Sequence, residues 1–193
     1  KDFLSIIGDN SLTVGRAALA VREARHWLDR EILVFALSVE GLDGNVAPSL
    51  EASVVARPRP GLVRVAGDLR KAWAGSDLWR TAVARPLQDP LSFRTMPHVL
   101  GNALEALEAA EAEIRYETWH AGDNPQVVLS TAALSVEGAE QVAPYRVPGT
   151  AAAIVPSGNF EALPLVASLE RLSLALAQVA SSVASTIHRF ENP

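Results

Sequence analysis

The densest chemistry in the chain lies within the stretch RPLQDPLSFRTMPHVLG, Arg85 to Gly101. Gln88, Asp89, Ser92 and Arg94 fall within seven residues and are set among Pro86, Pro90 and Pro97. Proline removes backbone alternatives, so polar side chains in such a stretch are aimed with less entropy loss. A guanidinium held this way matches a carboxylate through two parallel hydrogen bonds. Spacing alone favours a blander reading, an internal Asp89–Arg94 ion pair at a structural corner. A second polar and aromatic spot, Ser157-Gly158-Asn159-Phe160, precedes the last long apolar stretch. By spacing it is a plain turn in which Asn159 could cap.

Other chemistries find little support. His26, His98, His120 and His188 are far apart and lack metal-ligand spacing, so no metal site is expected. The chain has no cysteine, which removes disulfides, thiolate metal sites and a thiol nucleophile. No glycine-rich phosphate loop occurs. The net charge of −5 disfavours nucleic acid, which calls for a basic face. No run of eighteen apolar residues appears, so no membrane span is expected. Absence of cysteine permits an intracellular site, and a cytoplasmic location is the expectation.

The elements that must position these residues are mainly helical. With 49% apolar but only 6% aromatic residues, the core must rest on Ala, Val and Leu. Val14, Ala18, Val21 and Leu28 mark one helical stripe, with Asn10 or Ser11 as N-cap. A second helix, Glu31 to about Val46, reads as apolar on most faces and hence buried. A turn at Pro58-Arg59-Pro60-Gly61 leads to a short helix over 62–73, ended by Gly75-Ser76-Asp77. A long helix follows from Val99, with Glu105, Glu108, Glu111 and Glu113 on a solvated face, ending at Asp123-Asn124-Pro125. Residues 126–156 read as a short β-hairpin or irregular loop, from the fragments Val127-Val128-Leu129 and Tyr145-Arg146-Val147. Leu165, Leu169, Leu172, Leu176, Val179 and Val183 predict a last helix surrounded by neighbours. The fold class is thus mainly α, a long-helix bundle in a single piece, 1–193. Its broadly apolar helices call for association with other chains or with further parts of the same protein.

Five segments, in order along the chain, resemble one family. Gln88-Asp89-Pro90, Ser92, Arg94 and Pro97 resemble the QDPYSxRxxPQxxG segment of aromatic amino acid ammonia-lyases, with histidine ammonia-lyase nearest in pattern. Leu37-Ser38-Val39-Glu40-Gly41-Leu42 resembles that family's ALSLEAL helix, and Arg57-Pro58-Arg59-Pro60-Gly61 its RPHPGQ turn. Asp123-Asn124-Pro125 matches DNP; Gly158-Asn159-Phe160 and Pro164 match GNFHGxP.

The resemblance implies a helical homotetramer with active sites shared between subunits. It implies the electrophile 4-methylidene-imidazol-5-one (MIO), made from an internal Ala-Ser-Gly, and elimination of ammonia from an aromatic amino acid or histidine, or a 2,3-aminomutase reaction. By the same resemblance Arg94 would hold the carboxylate of a small amino acid substrate. Gln88 would bond to substrate or electrophile, and Phe160 would pack near both. The sequence holds no Ala-Ser-Gly. In the family that tripeptide precedes a segment like this one, so MIO is expected to form outside these residues. The chain reads as a central fragment, truncated at both ends relative to the family and inactive alone.

Several family positions differ. The family's NGT aligns without a gap to Gly8-Asp9-Asn10, so Gly8 lacks the amide, which Asn10 could supply only through a two-residue shift. Leu91 stands where the family has tyrosine and offers no hydroxyl for proton transfer. Glu161 replaces histidine, and Trp119-His120 replaces Asn-Ser. These changes leave an altered lyase or aminomutase site as the first expectation, and a non-catalytic homologue that binds a ligand or partner subunit as the alternative.

Overall fold

The computed structural model describes residues 8–80 and 87–191. Arg85 and Pro86 of the polar corner therefore lie outside the described residues. Three long helices dominate: α1 (Ser11–Leu42), α4 (Leu91–Trp119) and α6 (Leu163–Glu191). Between them lie α2 (Glu51–Val54), α3 (Pro60–Ala72) and α5 (Val136–Gln141).

The stretch expected to form two N-terminal helices is one, of 32 residues. No glycine or proline interrupts 16–40, so nothing stops the first helix at Arg30. It ends at Leu42, where Asp43 takes a left-handed conformation with φ 52°. Its second half is not buried all round. Ile32, Phe35, Ala36 and Val39 face inward, whereas Leu33, Val34 and Leu37 are exposed. Asn10 occupies the N-cap position without a side-chain cap; the Asp9 carboxylate instead accepts from the Ser11 amide at 2.7 Å.

Helix α4 starts at Leu91, eight residues before the start predicted from its apolar periodicity. Pro97 sits inside it, fully buried. A proline there forgoes one backbone hydrogen bond and crowds the carbonyl four residues back. Packing of its apolar neighbours Phe93, Met96 and Leu100 offsets that cost. The helix ends at Trp119, before Asp123-Asn124-Pro125.

Direction matters for the site. Arg25 of α1 meets Glu111 of α4, and Phe35 meets Phe93, with ring centroids 6.1 Å apart. The pairs run in opposite order, so α1 and α4 are antiparallel. Phe190, near the end of α6, contacts Phe93 near the start of α4 at 6.0 Å, so α6 is antiparallel to α4 as well. The core forms where these helices meet: Leu28, Phe35, Leu100, Leu107, Leu172 and Val179 belong to one buried cluster. Helix α6 is long and apolar enough to cross a membrane by length and composition, but it packs along α4 more extensively than any other pair of described elements. It is not surrounded. Leu165, Leu172 and Val179 are buried, and Leu174 stays 69% exposed.

Helix α3 leans across α4 at a pair of glycines. A methyl on Gly61 would overlap the Gly101 carbonyl oxygen, and one on Gly101 would lie 2.6 Å from the Leu62 nitrogen. Both residues sit in motifs singled out from the sequence, and what they supply is backbone proximity. At the other end of α3, the Trp73 indole donates to the Ala36 carbonyl of α1 at 3.1 Å.

The hairpin in 126–156 is present. Strand β1 (Gln126–Val128) pairs antiparallel with β2 (Ala153–Val155), with Val127 opposite Ile154. The predicted second fragment, Tyr145-Arg146-Val147, is not the partner strand; Arg146 makes only an isolated bridge to Ala153.

Candidate functional site

The corner at the start of α4 is built from α1 outward. Where α1 ends, the Asp43 and Gly44 amides return to the Glu40 and Val39 carbonyls. That turn presents the Asn45 amide to the Asp89 carboxylate, which accepts it at 2.6 Å. The Asn45 side chain donates to the Leu87 carbonyl at 3.3 Å and accepts from the Ala47 amide at 2.9 Å. Asp89, 9% exposed, therefore tethers the corner to the exit of α1.

The expected Asp89–Arg94 ion pair is absent. Asp89 is committed to backbone, and Arg94 Nη1 donates to Gln88 Oε1 at 2.9 Å. Among the described residues, Arg94 Nε is buried without a hydrogen-bond partner. A buried N–H left unpaired costs about 1–3 kcal/mol and calls for an acceptor. Leu91, 65% exposed, lies one helical turn before Arg94.

The second group lies at the far end of the bundle. Asn10 Nδ2 donates to the Phe160 carbonyl at 2.7 Å, so two residues 150 positions apart come together. Phe160 is 50% exposed, and Gly8 and Glu161 are exposed beside them in sequence. A cavity of about 410 Å³ next to Asn10 is also lined by Glu117, Thr118, His120 and Asp123. His120 stacks on Tyr116 at 3.9 Å between ring centroids. Asn159 does not cap a helix; its side-chain amide donates to Gln126 Oε1 at 3.1 Å, tying the loop to the hairpin.

The two groups do not meet within one chain. Arg94 and Thr118 sit near opposite ends of α4, about 36 Å apart along the axis at roughly 1.5 Å per residue. Gln88, Leu91 and Arg94 mark one end; Gly8, Asn10, Phe160 and Glu161 mark the other.

The glutamates of α4 are not merely solvated. Glu105 pairs with Arg59 at 2.8 Å, Glu108 with Arg64 at 2.6 Å, and Glu111 with Arg25 at 2.7 Å. Glu105 also accepts the Gly61 amide at 3.0 Å, and chiefly that bond, then Arg59, lowers its pKa. Their periodicity shows that these residues share a face, but the arginines opposite them come from elements 40 to 90 positions away. Among the described residues, no group of three or more metal-ligating side chains occurs.

This helical architecture is that of an aromatic amino acid lyase. The chain belongs to that family: the model for aromatic amino acid lyase matches residues 1–193. It is 29% identical to histidine ammonia-lyase of Sorangium cellulosum over 100% of this chain and 35% of the relative. It is 30% identical to histidine ammonia-lyase of Koribacter versatilis, over 100% of this chain and 36% of that protein. Among solved structures, phenylalanine ammonia lyase of Rhodosporidium toruloides superposes with a TM-score of 0.75 at 26% identity, covering 98% of this chain and 26% of that one. Ergothionase of Treponema denticola, an ergothioneine-degrading enzyme, gives 0.77 at 26% identity, covering 95% and 33%. The chain thus spans about a third of the length of the curated relatives it matches.

Proposed function

We propose that this chain is the carboxylate-binding and bundle-forming part of an ammonia-lyase or aminomutase acting on a small amino acid. The observation that carries the reading is Arg94: one guanidinium nitrogen is fixed by Gln88, and the buried Nε lacks an acceptor among the described residues. A substrate carboxylate approaching the guanidinium would supply that acceptor.

The electrophile of this chemistry is MIO, which draws the substrate's amine so that ammonia can leave. The residues here that fit beside it are Asn10 and Phe160. Asn10 gives one side-chain N–H to the Phe160 carbonyl, which leaves the second for a carbonyl oxygen of the electrophile. Phe160 offers a half-exposed ring against which a substrate could pack. Leu91 moves no proton, so a side chain other than this one must take the substrate's proton.

Separation of the two groups by the length of α4 supports a homo-oligomer, a tetramer by the family's pattern, whose sites combine residues of different copies. A soluble, cytoplasmic protein is part of the same reading. One observation favours a second reading, a non-catalytic homologue that binds a ligand or partner: an exposed leucine stands at the family's tyrosine position.

The test is release of ammonia and formation of an unsaturated acid from histidine, phenylalanine or tyrosine by the full-length protein, with borohydride inactivation as the mark of the electrophile. Arg94→Ala should lower kcat/KM about 10- to 100-fold, from a charged hydrogen bond worth about 1.5–3 kcal/mol. Arg94→Ala and Asn10→Ala proteins, each impaired, should regain activity when dissociated and reassembled together. A mixture no better than its components would refute the shared site. No turnover of any amino acid by the intact protein would leave the second reading.

A further inference from the structure

The Arg57-Pro58-Arg59-Pro60-Gly61 turn has no part in the function above, yet it walls a cavity of about 490 Å³ against the first half of α4. Arg57 and Arg59 line it from the turn; Thr95, His98, Asn102 and Glu105 line it from the helix. We propose that this cavity binds the phosphate group of a small phosphorylated molecule.

The turn is preset. The Arg59 amide donates to the Arg57 carbonyl at 2.8 Å across Pro58, a tight three-residue turn. Pro58 and Pro60 fix two further φ angles. The close approach of Gly61 and Gly101 then sets the turn against α4, so donors more than 35 positions apart in sequence share one cavity. Arg59 carries a second distinction, since the family's RPHPGQ pattern has histidine there.

Charge decides the ligand class. Glu105 is the one carboxylate among the lining residues, and it is already bonded to the Gly61 amide and to one nitrogen of Arg59. Arg57, Arg59, Asn102 and His98 also line the space, and their remaining guanidinium N–H groups, side-chain amide and imidazole N–H can serve as donors. The Thr95 hydroxyl is spent on the Leu91 carbonyl at 2.7 Å and serves only as wall. Two guanidiniums with an amide and an imidazole match the higher charge and three peripheral oxygens of a phosphate better than the single charge and two oxygens of a carboxylate. The Arg59 side chain is 62% exposed, so the binding is salt-sensitive and of modest strength.

Titrating the full-length protein with inorganic phosphate at constant ionic strength, by calorimetry, tests this. Saturable binding with a dissociation constant on the order of 1 mM is expected. Arg57→Ala should weaken it about 10-fold or more, as loss of a charged hydrogen bond does. Among the described residues Arg57 shows no side-chain hydrogen bond or ion pair, so its removal should leave the melting temperature unchanged. Arg64→Ala, which removes an arginine outside the cavity, should bind phosphate like the parent. The proposal falls if phosphate does no better than chloride, if Arg57→Ala binds unchanged, if Arg64→Ala loses as much, or if succinate binds as tightly as phosphate. This readout does not depend on amino acid turnover, so it stands or falls apart from the lyase reading.

Discussion

Alanine at two glycines of this chain should have opposite effects. At Gly101 an added Cβ would lie 2.6 Å from the Leu62 nitrogen, 2.8 Å from the Gly61 carbonyl carbon and 2.9 Å from the Leu62 Cα. All three are backbone atoms of another helix and cannot swing away. Helix propensity favours alanine over glycine by about 0.8–1 kcal/mol. Overpacking costs about 1–3 kcal/mol, and rigid obstacles place this site at the upper end. The net expectation for Gly101→Ala is a loss of about 1–2 kcal/mol. At Gly67, inside α3, the same methyl would meet only the Arg70 guanidinium, at 3.9 Å. There propensity acts unopposed, and Gly67→Ala should gain about 0.5–1 kcal/mol. For a domain of this size each kcal/mol moves the melting temperature by about 2–4 °C. Thermal unfolding of the full-length protein should therefore place Gly67→Ala several degrees above Gly101→Ala, with the parent between them. Equal melting temperatures, or a reversed order, would refute the backbone contact as the reason for these glycines.

The remaining expectations concern charge, tether, chemistry and assembly. Glu105, its pKa lowered by the Gly61 amide and then by Arg59, contributes stability that is fully present above the ordinary carboxylate range and is lost as pH falls through its own lower value. The stability gap between parent and Glu105→Gln, measured by denaturant melts at successive pH values, should therefore close on acidification. Asp89→Ala leaves the Asn45 amide without its acceptor and should cost about 1–3 kcal/mol, while Asp89→Asn, which keeps an oxygen there, should cost less. Leu91→Tyr should raise amino acid turnover by about 100-fold or more if the missing hydroxyl limits the rate; unchanged turnover would point to the non-catalytic homologue. Leu37→Glu, at a position 70% exposed on α1, should shift the oligomer toward smaller species in sedimentation.

How far the sequence reached can be judged element by element. The stripes of α4 and α6 were legible because apolar residues at threes and fours need only local spacing. The boundary between two N-terminal helices was not real, since a change in which faces are apolar is not a change in backbone. The hairpin was placed correctly, but its second strand was taken from Tyr145-Arg146-Val147 and not from Ala153–Val155, because β propensity says nothing of register. Pairing of Gln88 with Arg94, in place of Asp89 with Arg94, depends on the exit of α1, which occupies Asp89 from 44 positions away. The roles of Gly61 and Gly101 were hidden for the same reason: each is half of a contact whose other half lies 40 residues distant. Asn10 and Phe160 were given site roles through family resemblance, and no local pattern pointed to their contact.

The opposed directions of the long helices bear on assembly. Arg94 opens α4, and the Asn10–Phe160 contact sits where α4 closes, because α1 and α6 both begin at that end. Under the proposed reading, a single chain carries two half-sites held apart by the length of α4. Two copies packed antiparallel about a twofold axis would bring the start of one α4 beside the end of the other, and would do so twice. Such packing needs apolar surface along the rods, and Leu19, Leu33 and Leu37 on α1 and Leu174 and Ile187 on α6 are all more than half exposed. Under the shared-site reading, helix length sets the spacing between sites, and the same exposed leucines that join the copies also complete the chemistry. A substitution on those faces, far from Arg94, should then reduce activity and assembly together.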